Sequence, residues 1–268
     1  MIDPREVADI PVLNRIVEGR FDDPFSVLGP HRKGRLRYVT AYDPGATEMA
    51  ALVEGKAHPL APVEGYPGLF QGKVAGARPY RLRGRRDGEE WQVEDPYRFG
   101  PVLGEMDEYL LGEGTHHGLW NVLGAHVIDH EGARGTHFAV WAPNARRVSV
   151  IGDFNAWDGR RHVMRRRGAT GVWEIFMPGL GEGTAYKFEI LGAYGSLHQK
   201  ADPVGFGSQH PPATASVVRD ISGYGWSDAQ WLARRAAAQR TDQPISIYEV
   251  HLGSWRRKEG GRPISYKE

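Results

Sequence analysis

Cysteine is absent from this 268-residue chain, which excludes structural disulfides and thiolate metal sites. Long apolar runs are also absent. No stretch approaches the ~20 apolar residues of a membrane-spanning helix, and the N-terminus carries early acidic residues where a signal peptide has its apolar core. Charge is nearly balanced, with 34 Lys and Arg against 33 Asp and Glu, so no global field attracts nucleic acid or an anionic membrane. We therefore expect a cytoplasmic protein with neither nucleic acid nor membrane as a partner.

Signals for a metal or phosphate site are weak. His116, His117, His126 and His130 are close in sequence, but the segment around them is a glycine-rich loop without the pattern of a helical zinc motif. The stretch GEGTHHG (112–118) has the glycines of a phosphate-binding loop but neither its preceding strand nor its lysine. The sequence thus predicts no metal ligands and no cofactor.

The chain is rich in turn residues, with 35 Gly and 18 Pro, and it favours many short strands over long helices. TAYKFEIL (184–191) alternates apolar and polar residues, and PYRLRGRRDGEEWQV (79–93) does the same around Asp87-Gly88, a type I′ hairpin signal. We predict two helices, one within 5–18 and one that begins at 227–239, where Ser227 and Gln230 have capping-box spacing.

An internal repeat is the most informative feature of the organisation. VLGPH at 27–31 recurs as VLGAH at 122–126, and DPYRFG at 95–100 recurs as DPVGFG at 202–207. Between them, YVTAYDPGA matches HFAVWAPNA and GLFQGKV matches GVWEIFM, in the same order. The repeat predicts two tandem β-sandwich domains of roughly 100 residues each.

The stretch GDFNAWDG (152–159) is the best candidate for a binding site. It follows the strand-like RRVSVI and places Phe154 and Trp157 in a tight polar turn. An indole on such a turn can stack on the C–H face of a pyranose while neighbouring polar groups bond its hydroxyls. The alternative is that Trp157 caps the core of the sandwich.

Six motifs together carry a resemblance that covers nearly the whole chain: DPFSVLGPH, YLLGEGTHHGLWNVLGAH, THFAVWAPNARRVSVIGDFNAWDG, YKFEI, KADPVGF and IYEVHLGSW. They resemble the N-terminal part of bacterial glycogen (1,4-α-glucan) branching enzymes. The resemblance implies an all-β fold of two immunoglobulin-like β-sandwiches, then a helix and the truncated start of a (β/α)₈ barrel. The implied order is an N-terminal module (1–100), a linker (101–117), a module similar to carbohydrate-binding module family 48 (118–225), a linker helix (226–243) and the start of the barrel (244–268).

The resemblance makes IYEVHLGSW the first strand of a glycoside hydrolase family 13 barrel. Such a barrel needs roughly 250 residues, and 24 follow Pro244. In that family an Asp nucleophile and a Glu acid/base lie in later strands, in motifs that this sequence lacks. We therefore expect a truncated enzyme that holds glucan-binding and scaffold modules, has no catalytic residues and is inactive alone. Residues 245–268 are not expected to form a stable fold of their own.

The resemblance also implies the binding residues. In related glucan-binding modules, the tryptophan of the FNxW turn and the lysine of YKF contact sugar, and these correspond to Trp157 and Lys187. A second tryptophan of those modules is missing, and Tyr194 is the nearest aromatic residue. The expected partner of this monomer is α-1,4-glucan or glycogen. Two alternatives stay open: a stand-alone glucan-binding or regulatory protein, and a scaffold whose repeats only brace the barrel.

Overall fold

The computed structural model describes residues 1–75 and 79–265. The chain divides into two compact units, Met1–Ile221 and Ser222–Glu268. The first unit holds all the β-sheets of the described residues, arranged as three antiparallel sheets. The mostly β character expected from the sequence is therefore confirmed.

The helices of the described residues are short. Leu13 and Ile16 of the second helix are buried, and the first two helices lie where the sequence predicts a helical region. No described helix has the length and hydrophobicity needed to cross a membrane. In chain order the helices are α1 (Pro4–Val7), α2 (Ile10–Val17), α3 (Glu105–Glu113), α4 (Ala229–Ala238) and α5 (Leu252–Trp255).

The first repeat forms one seven-stranded sheet. Its strands are β1 (Gly29–Lys33), β2 (Leu36–Tyr42), β3 (Glu48–Val53), β4 (Lys56–Pro62), β5 (Leu69–Lys73), β6 (Arg81–Arg86) and β7 (Glu89–Glu94), in the order β1-β2-β5-β4-β3-β6-β7. The start of β4 pairs with β3, and its last two residues, Ala61 and Pro62, pair with β5. One strand thus joins two halves whose apolar faces share a core that includes Val39, Ala51 and Phe70.

The turn between β6 and β7 has the predicted geometry. Asp87 and Gly88 have φ values of 52° and 84°, and both residues of a type I′ turn need positive φ. Glycine meets this requirement without strain, and aspartate is one of the few other residues that tolerate it. The predicted hairpin is confirmed.

The second repeat forms two four-stranded sheets around one core. Phe138, Trp173, Tyr186 and Phe188 come from both sheets and are almost completely buried. One sheet has the order β11-β12-β9-β8, and the other has β10-β13-β14 with β15 also paired to β13. The strands are β8 (Gly124–His130), β9 (Ala133–Trp141), β10 (Ala145–Gly152), β11 (Arg165–Arg167), β12 (Val172–Pro178), β13 (Ala185–Gly192), β14 (Leu197–Lys200) and β15 (Ser216–Val217).

The two repeats share buried hydrogen bonds as well as sequence motifs. The Tyr186 hydroxyl donates to Asp202 Oδ2 over 2.6 Å, and Tyr80 donates to Asp95 in the same way. Each of these carboxylates also accepts the backbone N–H two residues further on. The two VLGxH motifs match too, because the histidine Nε2 lies 3.0 Å (first copy) or 2.8 Å (second copy) from the leucine carbonyl oxygen three residues earlier.

Two local features differ from the sequence expectations. The segment expected to be a linker contains α3, which begins after Gly104 and ends at Gly114, whose φ of 71° is the left-handed conformation that favours glycine at a helix end. The N-cap of α4 is Asp228, without a side-chain capping bond. The capping box expected from Ser227 and Gln230 is therefore not formed.

The second compact unit has no β-strand at 244–250. The expected strand is missing there, and Leu252–Trp255 form the short helix α5. Ile245 and Ile247 are 84% and 86% exposed. A strand needs neighbours that satisfy its backbone groups, and no described segment pairs with these residues. The last residues of the predicted barrel start, 266–268, lie outside the described residues.

Candidate functional site

The site is built on a tight turn at the end of β10. After Gly152 the chain makes a 3-10 turn over Asp153–Asn155, and the Trp157 N–H then donates back to the Gly152 carbonyl over 2.9 Å. Ala156 and Trp157 have φ values of 56° and 58°, which are sparsely populated for residues other than glycine. Such strain persists only where surrounding contacts hold it, and it clusters at functional sites.

The indole of Trp157 is fixed by a hydrogen bond within its own turn. Its Nε1 donates to Asp153 Oδ1 over 2.8 Å, and the residue is only partly buried. Phe154, from the same turn, packs against the core of the second repeat. Among the described residues, Phe154 thus has the core-capping role that was the alternative for Trp157.

Lys187 lies at the same end of the β10–β13 pair. It is opposite Ile151 in the register, one pair before the Gly152–Tyr186 pair. Its neighbours Tyr186 and Phe188 point into the core, so Lys187 points to the outer face of the sheet. Its Nζ donates to Thr214 Oγ1 over 2.7 Å.

Tyr194 lies elsewhere. It is fully exposed in the turn beyond Gly192, which pairs with Ala145 at the start of β10. The five steps from Lys187 to Gly192 span roughly 17 Å of extended strand. The structure brings Trp157 and Lys187 to one end of the sheet and places Tyr194 beyond the other.

Two further residues belong to the surface around Lys187. Gln199 on β14 is opposite Glu189, so it shares the outer face with Lys187. Thr214 contacts Lys187 directly. Sequence reasoning missed both: no motif marks Thr214, and Gln199 is found only once the register of the β13–β14 hairpin is known.

A buried ion pair lies beneath the Trp157 turn. Arg147 Nη1 and Glu189 Oε1 are 2.9 Å apart, with side chains 4% and 10% exposed. Ser149 accepts from Arg147 and donates to the Gly159 carbonyl. A Cβ at residue 159 would stand 1.9 Å from Glu189 Oε1, so only glycine lets the backbone pass this close. The pair fixes the course of the loop after Trp157.

The other flank of this loop contacts the first repeat. Arg161 Nη1 donates to Asp43 Oδ2 over 3.0 Å, and its Nη2 donates to the Pro44 carbonyl. The Tyr97 hydroxyl accepts the Val163 N–H over 3.0 Å. The loop 152–163 of the second repeat is therefore fixed by hydrogen bonds to the first repeat as well as to its own sheet.

Chemically, this site offers an oriented indole, an ammonium group, a hydroxyl and an amide on one surface. An indole face and hydrogen-bonding groups of this kind suit a hydroxyl-rich ring with apolar faces. His126 and His130 lie 2.8 and 3.1 Å from the carbonyl oxygens of Leu123 and Gly100. Within residues 1–75 and 79–265, no three potential metal ligands cluster.

Comparison with known proteins assigns each repeat to a domain family. Residues 9–97 match the N-terminal domain of the alpha-1,4-glucan branching enzyme GlgB. Residues 122–205 match Carbohydrate-binding module 48 (Isoamylase N-terminal domain). The chain thus matches two known domain families, in the order that the resemblance of its motifs implies.

Curated relatives match nearly the full length of this chain. The 1,4-alpha-glucan branching enzyme GlgB of Roseobacter denitrificans is 58% identical over 95% of this chain, and that of Cereibacter sphaeroides is 52% identical over 95%. The chain is similar to the N-terminal region of these branching enzymes. It spans about 36% of the length of these two curated relatives.

Among solved structures, a pullulanase from Anoxybacillus sp. LM18-11 matches with a TM-score of 0.33 and 18% identity. That match covers 74% of this chain and 28% of the pullulanase chain. A likeness this weak carries no argument about the present chain.

Proposed function

We propose that the second β domain binds linear α-1,4-glucan across Trp157 and Lys187. The observation that carries this proposal is the indole of Trp157, which belongs to a partly exposed residue and is fixed by its hydrogen bond to Asp153. A surface that is ordered before binding loses little entropy when the ligand arrives. Lys187 and Thr214 would donate to sugar hydroxyls beside the stacked ring. A contribution from Tyr194 stays a prediction, since a glucan would have to run along the outer face to reach it.

We also propose the role of the protein that contains this region. It is a cytoplasmic transferase of glycoside hydrolase family 13, which cuts α-1,4-glucan chains and joins them in α-1,6 branches during glycogen biosynthesis. Its proposed modules are two immunoglobulin-like sandwiches (1–100 and 118–225) with a linker (101–117), a linker helix (226–243) and the start of a catalytic barrel (244–268). It acts as a monomer. The support is the identity to branching enzymes along the chain.

Replacement of Trp157 tests the binding proposal. A shallow surface with one indole supports a Kd of ~10 µM to ~1 mM for a maltooligosaccharide. Trp157→Ala should weaken binding at least about tenfold, because stacking and apolar contact are worth ~1.5 kcal/mol or more. Isothermal titration with maltoheptaose measures the change. Trp120→Ala is the control, since this tryptophan is 55% exposed and lies outside the loop 152–163. Unchanged affinity in Trp157→Ala would reject binding at this surface and favour the alternative in which the repeats only brace the barrel.

A second test concerns catalysis. The retaining mechanism of the family needs two carboxylates ~5 Å apart at the ends of barrel strands, and the family motifs that supply them are absent from these 268 residues. The chain alone should therefore form no α-1,6 linkages in amylose, as followed by iodine staining. Branch formation by the purified chain would overturn this assignment. A chain extended through a complete barrel is the positive control.

A further inference from the structure

A cavity of about 340 Å³ lies between the two β domains. Its walls come from the first repeat and from Phe154, Arg161 and His162 of the loop that also carries Trp157. Trp157 itself does not line it. The volume falls within the range of small-molecule sites, and the cavity is separate from the surface proposed above.

Trp91 of β7 provides a broad apolar wall. It is opposite Gly84 in the β6–β7 register, and a Cβ at residue 84 would come within 2.2 Å of its indole ring. The absence of a side chain at Gly84 thus lets the ring lie flat across β6. Tyr42 and Phe154 add two further aromatic side chains. Flat aromatic surfaces of this kind suit the C–H faces of a sugar ring.

The polar residues of the lining include side-chain atoms that lack hydrogen-bond partners and have almost no accessible surface, so a ligand reaches them only when neighbouring side chains move. Three buried side-chain atoms of lining residues have no hydrogen-bond partner among the described residues: Asp43 Oδ1, Trp91 Nε1 and Arg161 Nε. An unsatisfied buried group costs about 1–3 kcal/mol. One is an acceptor and two are N–H donors, and a sugar hydroxyl can both accept and donate.

Arg86 lies next to Asp43 Oδ1 and limits its access to the cavity. Arg86 Nη1 is 3.9 Å from Asp43 Oδ1, a loose ion pair, and the arginine side chain is 33% exposed. Rotation of this side chain would open Asp43 Oδ1 to the cavity without breaking the Asp43–Arg161 bond. The lining also includes Glu89 and Glu90, so charges of both signs surround the space and disfavour a ligand with a strong net charge.

We propose that this cavity binds one neutral pyranose unit of an α-glucan, as a second site distinct from the surface at Trp157. The proposal rests on the proposed function for its ligand class. It gives the first β domain a part in binding, because Trp91, Asp43 and Arg86 all belong to the first repeat.

The test uses the 268-residue chain labelled with 5-fluorotryptophan and titrated with maltotriose. Fluorine NMR resonances of Trp91 and Trp157 are assigned from Trp91→Phe and Trp157→Phe. We expect both resonances to shift in a saturable way, with the Trp91 shift retained in Trp157→Ala. Arg86 also lines the cavity and would donate to a sugar hydroxyl after it rotates, so Arg86→Ala should weaken the Trp91 response at least about tenfold, as expected for the loss of one charged hydrogen bond. The Trp120 resonance is the internal control and should not move.

Three outcomes would overturn the proposal. A shift of Trp157 without a shift of Trp91 means that the cavity holds water only. A Trp91 shift that disappears in Trp157→Ala means that the change is transmitted from the Trp157 surface. If neither resonance moves, the glucan-binding function fails together with this inference. A shift of Trp91 alone supports the cavity and removes the Trp157 surface from the proposed function.

Discussion

Asn155 is the side chain on which the Trp157 turn depends most. It is 2% exposed and uses its whole amide group. Its Oδ1 accepts the Gly152 N–H over 3.0 Å, and its Nδ2 donates to the Val150 carbonyl and to His162 Nδ1, each over 2.9 Å. A donor that points at His162 Nδ1 requires that nitrogen to be unprotonated. The turn therefore depends on a neutral His162.

The environment of His162 keeps it neutral. Burial, and then the charge of Arg161, lower the pKa of His162 to about 3. The unfolded chain binds a proton with a pKa of about 6.5. Between these values the unfolded state holds more protons than the folded state, so stability is full above about pH 6.5 and falls as the pH drops toward 3.

As the pH is lowered from 6 to 4, we expect protonation linked to His162 to reduce the free energy of unfolding by about 1 kcal/mol per pH unit. Urea unfolding of wild type and His162→Gln at several pH values measures it, and the variant should lose this slope. The comparison is needed because buried Asp95, whose pKa is raised to about 6 by burial, has the opposite sign and favours the folded state at lower pH. Identical pH profiles of the two proteins would contradict the assignment.

At the scale of elements, a buried carboxylate connects the segment before α3 to the second repeat. Glu174 on β12 is 1% exposed, and its Oε2 accepts the N–H groups of Val102 and Leu103 and lies 2.8 Å from His137 Nε2. Arg167 reaches Glu174 on one side and Glu108 of α3 on the other. These contacts place α3 against the β11-β12-β9-β8 sheet.

Glu174→Gln should lower the free energy of unfolding by about 3 kcal/mol. The substitution keeps the shape but removes the charge that Val102, Leu103, His137 and Arg167 face, and hydrogen bonds to charged groups are worth about 1.5–3 kcal/mol each. Chemical denaturation monitored by tryptophan fluorescence measures the loss. Glu113→Gln, at the exposed end of α3, is the control and should stay within about 0.5 kcal/mol of wild type. A Glu174 variant as stable as its control would show that the network does not stabilise the fold.

Several elements could be predicted from the sequence because their determinants are local. The Asp87-Gly88 hairpin needs only two residues with positive φ, and α2 needs only its apolar spacing. Other features depend on contacts between distant residues. No local pattern shows that β4 changes partner at Ala61, and the acidic run of α3 looks like a solvated linker until Arg167 is placed beside it. The sequence shows the aromatic ring of Tyr194, but the register of the β13–β14 hairpin decides where that ring lies.

At the scale of the whole molecule, the two repeats differ in the loops attached to corresponding strands. Leu52 and Arg81 pair in the first repeat as Ile151 and Lys187 pair in the second, so each repeat has a cation at the same point. The first repeat follows this strand with the two-residue turn between β3 and β4, whereas the second has the loop 152–163 with Trp157. The loop 152–163, which carries the surface proposed at Trp157, is thus an addition to the second repeat. The same loop supplies Phe154, Arg161 and His162 to the wall of the cavity between the repeats.

Limited proteolysis should separate the two compact units. Trypsin is expected to cut first at Arg240, which is exposed and follows α4 in a segment without regular structure, because cleavage requires backbone that can leave its hydrogen bonds at little cost. Sites such as Arg147, 3% exposed within a sheet, should be cut last. Mass spectrometry identifies the first product.

Since Trp157 and Lys187 both belong to Met1–Ile221, the trimmed protein should bind maltoheptaose as tightly as the intact chain. First cleavage inside 1–221 would contradict the division into units, and a loss of binding after trimming would place part of the glucan site in the last residues of the chain.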